Sequence, residues 1–488
     1  MRRMLCVLLC LLLAWPAIPL HAAEDPQILR AWLVGCDHFV TYPNTGFGAR
    51  NNITRLRQVL AQDARGYQSI TETYNQPFSG LEARELAQQA FQGANDNDIS
   101  FFYISTHGIY QEGAPASSFA MLLSDGRREH ALTALELFLA LNPIPGAKVL
   151  IIDTCNSGAL IGKGLFVDDL ASYFTGGDFY VLTSAGGSEP SFLWSNNSGA
   201  LQGGSYFLDA LAAGISGQGR YAADENQDGD ITLSEARRYL LRAYGASTPQ
   251  MFPQDDDFLL LSARQGSQPP ANMLTDLVYD SPVLAGGVKE FLFSFTLHRP
   301  SQLGYRLVYD QQGEWQFASS QRIPDEEGGL GPAPPGRKER ALSLSEFTEN
   351  TYGYVLLFVV TADALGPRPH MSTLLNVQPT TGDPKLNALV RRLPSPYGYT
   401  ETAIRVEHAF PVSLTVRILN DKGEAIAVIG YDMPTRPQRL PGGGSIYYWN
   451  GMDRNGMTPK RGLYRAEVST QVGGKTYQVL SDAFRVGF

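Results

Sequence analysis

The chain has few cysteines and no concentration of positive charge. Only four of its 488 residues are cysteine, and Cys6 and Cys10 lie in an N-terminal segment that we expect to be removed. The remaining two cysteines cannot form the disulfide framework that stabilises small exported domains. The 39 lysine and arginine residues are scattered and outnumbered by 48 aspartate and glutamate residues. The composition therefore gives no indication of a nucleic-acid partner.

Long apolar runs are absent except at the N-terminus. Residues 1–23 begin with Arg2 and Arg3, continue with an apolar stretch too short for a membrane span, and end with small residues. This arrangement is typical of a secretory signal peptide that is cleaved on export. We therefore expect an exported protein, periplasmic or extracellular in a bacterial cell, that does not insert into the membrane.

Three regions of the mature chain differ in their sequence pattern. Residues 24–265 alternate continuous apolar runs with helical patterns, which favours a mostly parallel sheet covered by helices on both faces. After a Gly/Ser/Pro-rich linker, residues 271–378 and 385–488 contain strand-like runs without long helical patterns. The predicted fold class is α/β, a mostly parallel sheet sandwiched by helices, followed by two β-sandwich domains.

The apolar pattern of the first region predicts its elements. A Thr133–Glu136 capping box is expected to open one of the helices. Strands are predicted at 28–36, 67–74, 99–106, 148–154, 178–185 and 257–263, and helices at 52–64, 80–94, from 133, 205–214 and 233–245.

Two of the predicted strands end on residues that carry chemistry. The run FFYISTHG ends on His107 and Gly108, and KVLIIDTC ends on Cys155. A cysteine nucleophile needs a base to take its proton and donors for the oxyanion that forms. His107 can act as the base, and the backbone N–H groups of Gly108 and Cys155 as the donors. The alternative is a buried structural cysteine and a strand-end histidine bonded to backbone, which we favour less because Cys155 follows its strand.

The two motifs together resemble the caspase-like cysteine peptidases, and they are closest to the bacterial metacaspase-like branch. The resemblance spans residues 28–263. It implies a caspase-type fold in which His107 and Cys155 form a catalytic dyad, Gly108 lies near the oxyanion, and Asp153 binds a basic P1 side chain. Ser184, at the end of the next strand, is a further candidate substrate-binding residue.

The specificity implied by this resemblance depends on two acid positions. The family's second acid position holds Asn52 here, so Arg or Lys at P1 is favoured only slightly over an undefined preference. The residues that surround the cysteine in mammalian caspases are absent, so cleavage after Asp is not expected. The alternative for Asp153 is a carboxylate that caps backbone N–H groups. Lys163, shortly after the nucleophile, is a candidate self-cleavage point.

Cys36 is the other thiol of the mature chain. The strand order implied by the resemblance separates it from Cys155 by two strands, about 9–10 Å. A disulfide requires Cα atoms within about 7 Å, so we expect Cys36 to be a small buried residue.

A calcium loop is predicted within the first region. Residues 224–235, DENQDGDITLSE, match the EF-hand loop at each diagnostic position, including glycine at the sixth. The alternative is an acidic turn with an accidental Asp-Gly pair. A structural Ca²⁺ ion is favoured over a sensing one, and the candidate ligands are Asp224, Asn226, Asp228, Asp230 and Glu235.

The C-terminal region resembles the Ig-like domain of flagellar-hook capping proteins, over about residues 395–488. The resemblance rests on Trp449-Asn450-Gly451, Asn455-Gly456 and Gly462-Leu463-Tyr464. Hairpins are predicted at 412–429, with its turn at Asp421-Lys422-Gly423, and at 442–470. Residues 325–340 are predicted to be a surface loop in the preceding region.

The resulting hypothesis is an exported cysteine endopeptidase with a polypeptide substrate, whose C-terminal β-domains contact a surface or a partner protein. The alternative is a secreted binding or adhesion protein with a catalytically silent caspase-like fold. Transpeptidation shares the same acyl-enzyme and stays open beside hydrolysis.

Overall fold

A computed structural model gives the structure of most of the chain. It describes residues 26–111, 113–166, 172–195, 203–215, 221–254, 256–262, 274–279, 281, 283–285, 290–297, 300–311, 314–317, 321–323, 332–343, 352–363, 366–394, 400–436 and 444–486. The predicted signal peptide lies outside the described residues.

The N-terminal unit, residues 29–262, combines helices with short and long strands. Its helices are α1 (Gly48–Leu60), α2 (Gly80–Ala90), α3 (Ala134–Leu141), α4 (Tyr206–Ile215) and α5 (Leu233–Ala243). Its strands are β1 (Leu29–Gly35), β2 (Tyr67–Tyr74), β3 (Ile99–Ser105), β4 (Gly108–Ile109), β5 (Ala120–Ser124), β6 (Glu129–Thr133), β7 (Ala147–Asp153), β8 (Phe179–Thr183), β9 (Leu193–Ser195), β10 (Gly203–Ser205), β11 (Asp230–Thr232), β12 (Gln250–Phe252) and β13 (Leu259–Ser262).

The central sheet has six strands in the order β12-β8-β7-β3-β1-β2. All neighbours pair in parallel except β12, which is antiparallel to β8. The continuous apolar strands therefore form the mostly parallel sheet that the sequence predicts. The order also places β3 between β1 and β7, which separates Cys36 from Cys155 as expected.

Alternate residues of the central strands pack into two hydrophobic clusters, because successive side chains of a strand point to opposite faces. Ala31 and Leu33 join a cluster that includes side chains of α1, α4 and α5. Trp32 and Val34 join another that includes side chains of α2 and α3. Burial on both faces explains why these strands read as continuous rather than alternating apolar runs.

The predicted elements of this unit are largely found, with one error of placement. The capping box at Thr133 and Glu136 is present and opens α3. The run 257–263 does contain a strand, β13, but it pairs with β11 in a separate two-stranded sheet. The sixth strand of the central sheet is instead β12, whose three residues are too short to give an apolar pattern.

The C-terminal part of the described chain is β-rich. The middle β unit contains β14 (Leu274–Tyr279), β15 (Val283–Ala285), β16 (Glu290–Leu297), β17 (Gln302–Gln311), β18 (Glu314–Phe317), β19 (Gln321–Ile323), β20 (Gly336–Ser343), β21 (Gly353–Asp363) and β22 (Gly366–Gln378). The C-terminal β unit contains β23 (Asn387–Pro394), β24 (Thr400–Glu407), β25 (Ser413–Leu419), β26 (Ala425–Pro434), β27 (Ser445–Trp449), β28 (Gly462–Val472), β29 (Lys475–Leu480) and β30 (Phe484–Val486).

One of the two predicted hairpins is confirmed and the other is wrong. β25 and β26 pair across the turn at residues 421–423, where Gly423 adopts a φ of 79°. β27 and β28 do not pair with each other, because β27 joins β24 and β28 joins β25 and β29. Trp449 and Tyr464 nevertheless meet in one buried cluster, with ring centroids 6.4 Å apart.

The predicted surface loop at 325–340 is partly wrong. Residues from Gly336 onward belong to β20, which pairs with β16 along its length. Residues 324–331 lie outside the described part of the chain. Among the helices that the structure describes, none is long and apolar enough to cross a membrane.

Candidate active site

Adjacent parallel strands bring the two predicted catalytic residues to one edge of the sheet. In the pairing of β3 with β7, Ser105 lies opposite Asp153. His107 and Cys155 each follow two residues after this last pair, so they leave neighbouring strands at the same level. The carboxyl ends of parallel strands are where open α/β sheets hold their ligands.

The imidazole of His107 is fixed by the segment that follows β1. Its Nε2 atom lies 2.9 Å from the carbonyl oxygen of Pro43, and its ring packs against Phe39 and Tyr42 at centroid distances of 4.5 and 5.2 Å. Because a carbonyl oxygen only accepts hydrogen bonds, Nε2 must carry the proton. Nδ1 therefore bears the lone pair and is the nitrogen that can take a proton.

Two carboxylates shape the segment that holds His107. Asp37 is completely buried, and it accepts hydrogen bonds from the backbone N–H groups of Ala49 and Arg50 at 2.8 and 3.0 Å, at the start of α1. Glu129 accepts from the backbone N–H groups of Val40 and Thr41. These bonds fix the segment on both sides of Pro43, to β6 before it and to the start of α1 after it, and so set the position of the Pro43 carbonyl.

The sulfur of Cys155 is bracketed by the backbone of Ser191. The Ser191 N–H group donates to Sγ at 3.4 Å, and Sγ lies 3.5 Å from the Ser191 carbonyl oxygen. An N–H group directed at the sulfur stabilises a negative charge there. Cys155 is half-buried, which leaves a side for substrate to approach.

Cys36 differs from Cys155 in its burial. It is buried, and neither cysteine is in a disulfide. Burial raises the pKa of the Cys36 thiol to about 11, an effect only partly offset by a hydrogen bond from the Ser124 backbone. The thiolate is the nucleophilic form, so Cys36 is inert at neutral pH, as the sequence predicts.

Gly108 lies directly against the backbone of the nucleophile. A methyl group added to its Cα would stand 1.9 Å from the carbonyl oxygen of Cys155 and 2.7 Å from the Thr154 hydroxyl. No side chain fits in that space, so glycine is required for the two strand ends to approach each other.

Asp153 lies beneath this edge with its carboxylate almost fully buried. Ser205 and Ser191 donate to one of its oxygens at 2.9 and 3.4 Å, and the Tyr103 hydroxyl donates to the other at 3.1 Å. Burial raises the pKa of the Asp153 carboxyl to about 6, against the opposing effect of these hydrogen bonds. Its hydrogen bonds come from side chains, whereas the alternative interpretation from the sequence expected backbone N–H donors.

Asn52 reaches the same cluster from α1. Its side-chain oxygen accepts from the Ser205 N–H at 3.0 Å, and its amide donates to the Ser105 hydroxyl at 2.9 Å. Ser205 thus joins Asn52 to Asp153. The two positions that the family resemblance assigns to recognition of a basic side chain are therefore neighbours in space. Only one of them, Asp153, holds an acid.

Ser184 and Lys163 are less accessible than the sequence suggests. Ser184 is completely buried, and its hydroxyl donates to the Thr154 carbonyl at 3.2 Å, so in this conformation it supports the strand ends and faces away from solvent. Lys163 uses its backbone N–H to bond Gly158 at 2.9 Å and its carbonyl to bond Gly187 at 2.8 Å. Cleavage after Lys163 would require this segment to leave its place first.

The predicted calcium loop is a compact turn with partial ligand geometry. Gly229 adopts a φ of 92° and donates to Asp224 Oδ2 at 3.0 Å, while Glu235 caps α5 through Thr232. The Asp224 Oδ1 atom is buried without a hydrogen-bond partner, which suits a ligand of a cation. Asn226 and Asp228 bond each other at 2.7 Å, and the Asp230 carboxylate accepts from Ser262. In the described chain no three acidic, His or Cys side chains converge as a formed metal site.

Several residues of the site were not identified from the sequence. The Pro43 carbonyl, the Ser191 backbone and the Ser205 hydroxyl all contact a predicted site residue. The segment CDHFVTYPNTG directly follows β1, and its position at a strand end was the one available signal. Ser191 lies in a loop and Ser205 is the last residue of the short strand β10. No sequence pattern distinguishes either of them from other serines.

Comparisons with known proteins give distant structural likenesses. No protein-family model matches the chain, and no curated protein matches it. A crystal structure of caspase-1 from Spodoptera frugiperda is similar at a TM-score of 0.30 and 16% identity, covering 47% of this chain and 89% of that one. Dimeric latent PorU from Porphyromonas gingivalis is similar at a TM-score of 0.16 and 14% identity, covering 52% of this chain and 23% of that one. Both TM-scores are low, so the function rests on this chain's own residues.

Proposed function

We propose that the protein is a caspase-like cysteine endopeptidase in which Cys155 is the nucleophile and His107 the general base and acid. The supporting observation is that Ser105 pairs with Asp153 between adjacent strands. His107 and Cys155 each lie two residues beyond this pair. The direct test is loss of peptide hydrolysis when the Cys155 sulfur is removed, with retention of the fold.

The chemistry follows from the tautomer of His107. Nδ1 takes the proton of the Cys155 thiol, and the sulfur attacks the peptide carbonyl carbon to form a C–S bond. The C–N bond then breaks as the imidazolium returns its proton to the leaving amine. A water molecule that His107 deprotonates hydrolyses the thioester and regenerates the thiol. Backbone N–H groups of Gly108 and Cys155 are the proposed oxyanion donors.

We infer that Asp153 selects a basic P1 side chain. It is a buried acid next to the nucleophile, and its own hydrogen bonds come only from neutral hydroxyl groups. An arginine or lysine that enters this site would supply the missing positive charge. Asn52 in place of a second acid makes this preference weaker than two carboxylates would.

The proposed P1 preference should depend on pH. With a folded pKa of about 6, Asp153 is mostly neutral at pH 5 and mostly ionised at pH 7. The ratio of kcat/KM for an Arg substrate to that for a matched substrate with a neutral P1 residue should therefore rise as pH increases through about 6. Taking the ratio cancels the titration of the dyad, which acts on both substrates.

The matched variant is Asp153→Asn. It should lower the Arg-to-neutral ratio at pH 7 by about tenfold, the effect of roughly 1.4 kcal/mol of lost charge interaction, and make the ratio independent of pH. A ratio that stays at the wild-type value in Asp153→Asn would show that another group binds the P1 side chain.

We propose that the 224–235 loop binds Ca²⁺ and stabilises the N-terminal unit. Asp224, Asn226, Asp228, Asp230 and Glu235 are the residues that would hold the ion, and the unpartnered Asp224 Oδ1 supports the proposal. The ion would supply a positive charge to a loop whose carboxylates otherwise repel one another.

Calcium should therefore raise the unfolding temperature of the protein. A ligand at 100 times its Kd stabilises the folded state by about 2.7 kcal/mol, and Asp224→Asn should lose most of this shift. Asp421→Asn, in an exposed turn of the C-terminal β unit, is the matched control for loss of one carboxylate. Equal unfolding temperatures in Ca²⁺ and in chelator would show that the loop does not bind the ion.

We also propose that the protein is exported, on the basis of residues 1–23. An Ig-like β-sandwich fold is proposed for the two C-terminal units, on the basis of the glycine, tryptophan and tyrosine landmarks in about residues 395–488. The C-terminal units are proposed to contact a surface or a partner protein outside the cell.

A further inference from the structure

The segment just after the nucleophile is held by the C-terminal β unit. Leu165 donates its N–H to the Tyr448 hydroxyl at 2.8 Å, and this hydroxyl donates to the Leu165 carbonyl at 2.7 Å. The Lys163 ammonium lies 5.8 Å from the Tyr448 ring. Next to it, Phe166 packs under the guanidinium of Arg391 at 4.8 Å. One tyrosine side chain of β27 therefore satisfies both backbone groups of a residue in the N-terminal unit.

Leu165 in turn supports the loop that brackets the catalytic sulfur, which we call the 184–191 loop after its residue numbers. The Leu165 side chain is buried, and it lies so close to Gly187 that a methyl group there would be 2.5 Å away. Gly187 also donates to the Lys163 carbonyl at 2.8 Å. Its own carbonyl accepts from the side chain of Asn156, the residue after Cys155, at 2.8 Å.

A second contact from the C-terminal β unit reaches the same loop. The Arg436 guanidinium donates to the carbonyl oxygens of Gly245 and Ser247 at 3.4 and 3.2 Å. The Ser247 hydroxyl donates to the carbonyl of Pro190, which directly precedes Ser191. Arg436 follows Thr435, a fully buried residue whose hydroxyl accepts from Tyr354 of the middle β unit at 3.1 Å.

Both contacts end on the 184–191 loop, one at Gly187 and the other at Pro190. The last residue of this loop is Ser191, whose backbone N–H donates to Cys155 Sγ. We propose that Tyr448 and Arg436 are positioning residues for the active site. The C-terminal β unit would then contribute to catalysis. They act through Leu165 and Ser247 on the 184–191 loop, and the loop sets the direction and hydrogen bond of the sulfur. This inference rests on the proposed peptidase function.

The test uses Tyr448→Phe in the full chain, which removes one hydroxyl and keeps the ring. Loss of the bond to both groups of Leu165 should loosen the 184–191 loop. Since a misplacement of about 1 Å at a reacting group can cost up to ~10²-fold, we expect kcat to fall roughly tenfold or more while KM changes less than about twofold. Hydrogen exchange measured by mass spectrometry should become faster in peptides that cover residues 184–191.

Two further variants make the result specific. Arg436→Gln should reproduce the loss of kcat and the faster exchange by the second route. Tyr477→Phe, which removes a hydroxyl from β29 within the same unit, is the matched control and should behave as wild type. A purely structural contact would lower the unfolding temperature of Tyr448→Phe without a selective loss of kcat.

The outcomes separate this inference from the proposed function. If Tyr448→Phe and Arg436→Gln both retain wild-type kcat and exchange rates, the positioning role is wrong although the protein is a peptidase. If the wild-type protein hydrolyses no peptide and matches Cys155→Ala, the proposed function is wrong. In that case the hydrogen-exchange rates of the two variants alone decide whether the C-terminal β unit orders the 184–191 loop. Rates equal to those of the wild type would overturn this role.

Discussion

Replacing Cys155 with alanine should reduce peptide hydrolysis by about 10³-fold or more, because the reaction loses its nucleophile. The fold should survive, since the change removes one half-buried sulfur at the surface of the site, where it contacts the backbone of Ser191. The measurements are kcat/KM on a fluorogenic peptide with Arg at P1, and the unfolding temperature. His107→Ala should cause a loss of similar size.

The dyad should also behave as a unit. The double variant is expected to be no less active than either single variant, because residues that act in one step are strongly non-additive. Cys36→Ala is the matched control: it removes the other thiol, whose raised pKa keeps it protonated, and it should retain hydrolysis. Iodoacetamide should label Cys155 in both the wild type and this control.

The opposite result has a definite meaning. If Cys155→Ala hydrolyses peptides at the wild-type rate, and the wild-type protein gives no Cys155 adduct, then Cys155 is a structural residue. The alternative of a catalytically silent binding protein would then be favoured.

Replacing Gly108 with alanine should be nearly as damaging as removal of the sulfur, for a purely steric reason. The added methyl group would lie 1.9 Å from the carbonyl oxygen of Cys155, a distance that no contact of this kind tolerates. Because the obstacle is backbone, the end of β7 must move away from the end of β3. Overpacking of this kind costs about 1–3 kcal/mol of stability, and the displaced nucleophile should lower kcat/KM by roughly 10²-fold.

Gly48→Ala is the control for this change. It lies in the same unit near the same edge, but its added methyl group would have its nearest neighbour at 3.7 Å, an ordinary contact. Its activity should remain close to wild type. Wild-type kcat/KM in Gly108→Ala would mean that the strand ends are free to separate without cost to the reaction, which would contradict the arrangement of His107 and Cys155 described above.

The inner strands β1, β3 and β7 could be predicted because they are apolar and buried on both faces. Strand β2 coincides with the predicted run 67–74. Strand β3 ends one residue before its prediction, and β7 both begins and ends one residue before its prediction. The shorter strands β4 and β12 could not be predicted. Strands of two or three residues are defined by their pairing partners, and these are distant in sequence.

The site was predictable only where it depends on residue type. His107, Gly108 and Cys155 stand at the ends of apolar runs, so the spacing was informative. The group that orients His107 is the backbone carbonyl of Pro43, and every residue has such a carbonyl. The prediction of a β27–β28 hairpin was wrong for a similar reason. The turn residues between these strands suggested that they pair, but β27 pairs with β24 and β28 with β25, which residue type does not indicate.

The contact between Leu165 and Tyr448 joins residues that are 283 positions apart. A ribosome therefore finishes the strands that carry His107 and Cys155 long before it adds the tyrosine that secures the neighbouring loop. During synthesis the emerging chain would hold both groups of the proposed dyad without this contact. For the proposed peptidase, full activity would then develop only after the C-terminal β unit had been synthesised and folded.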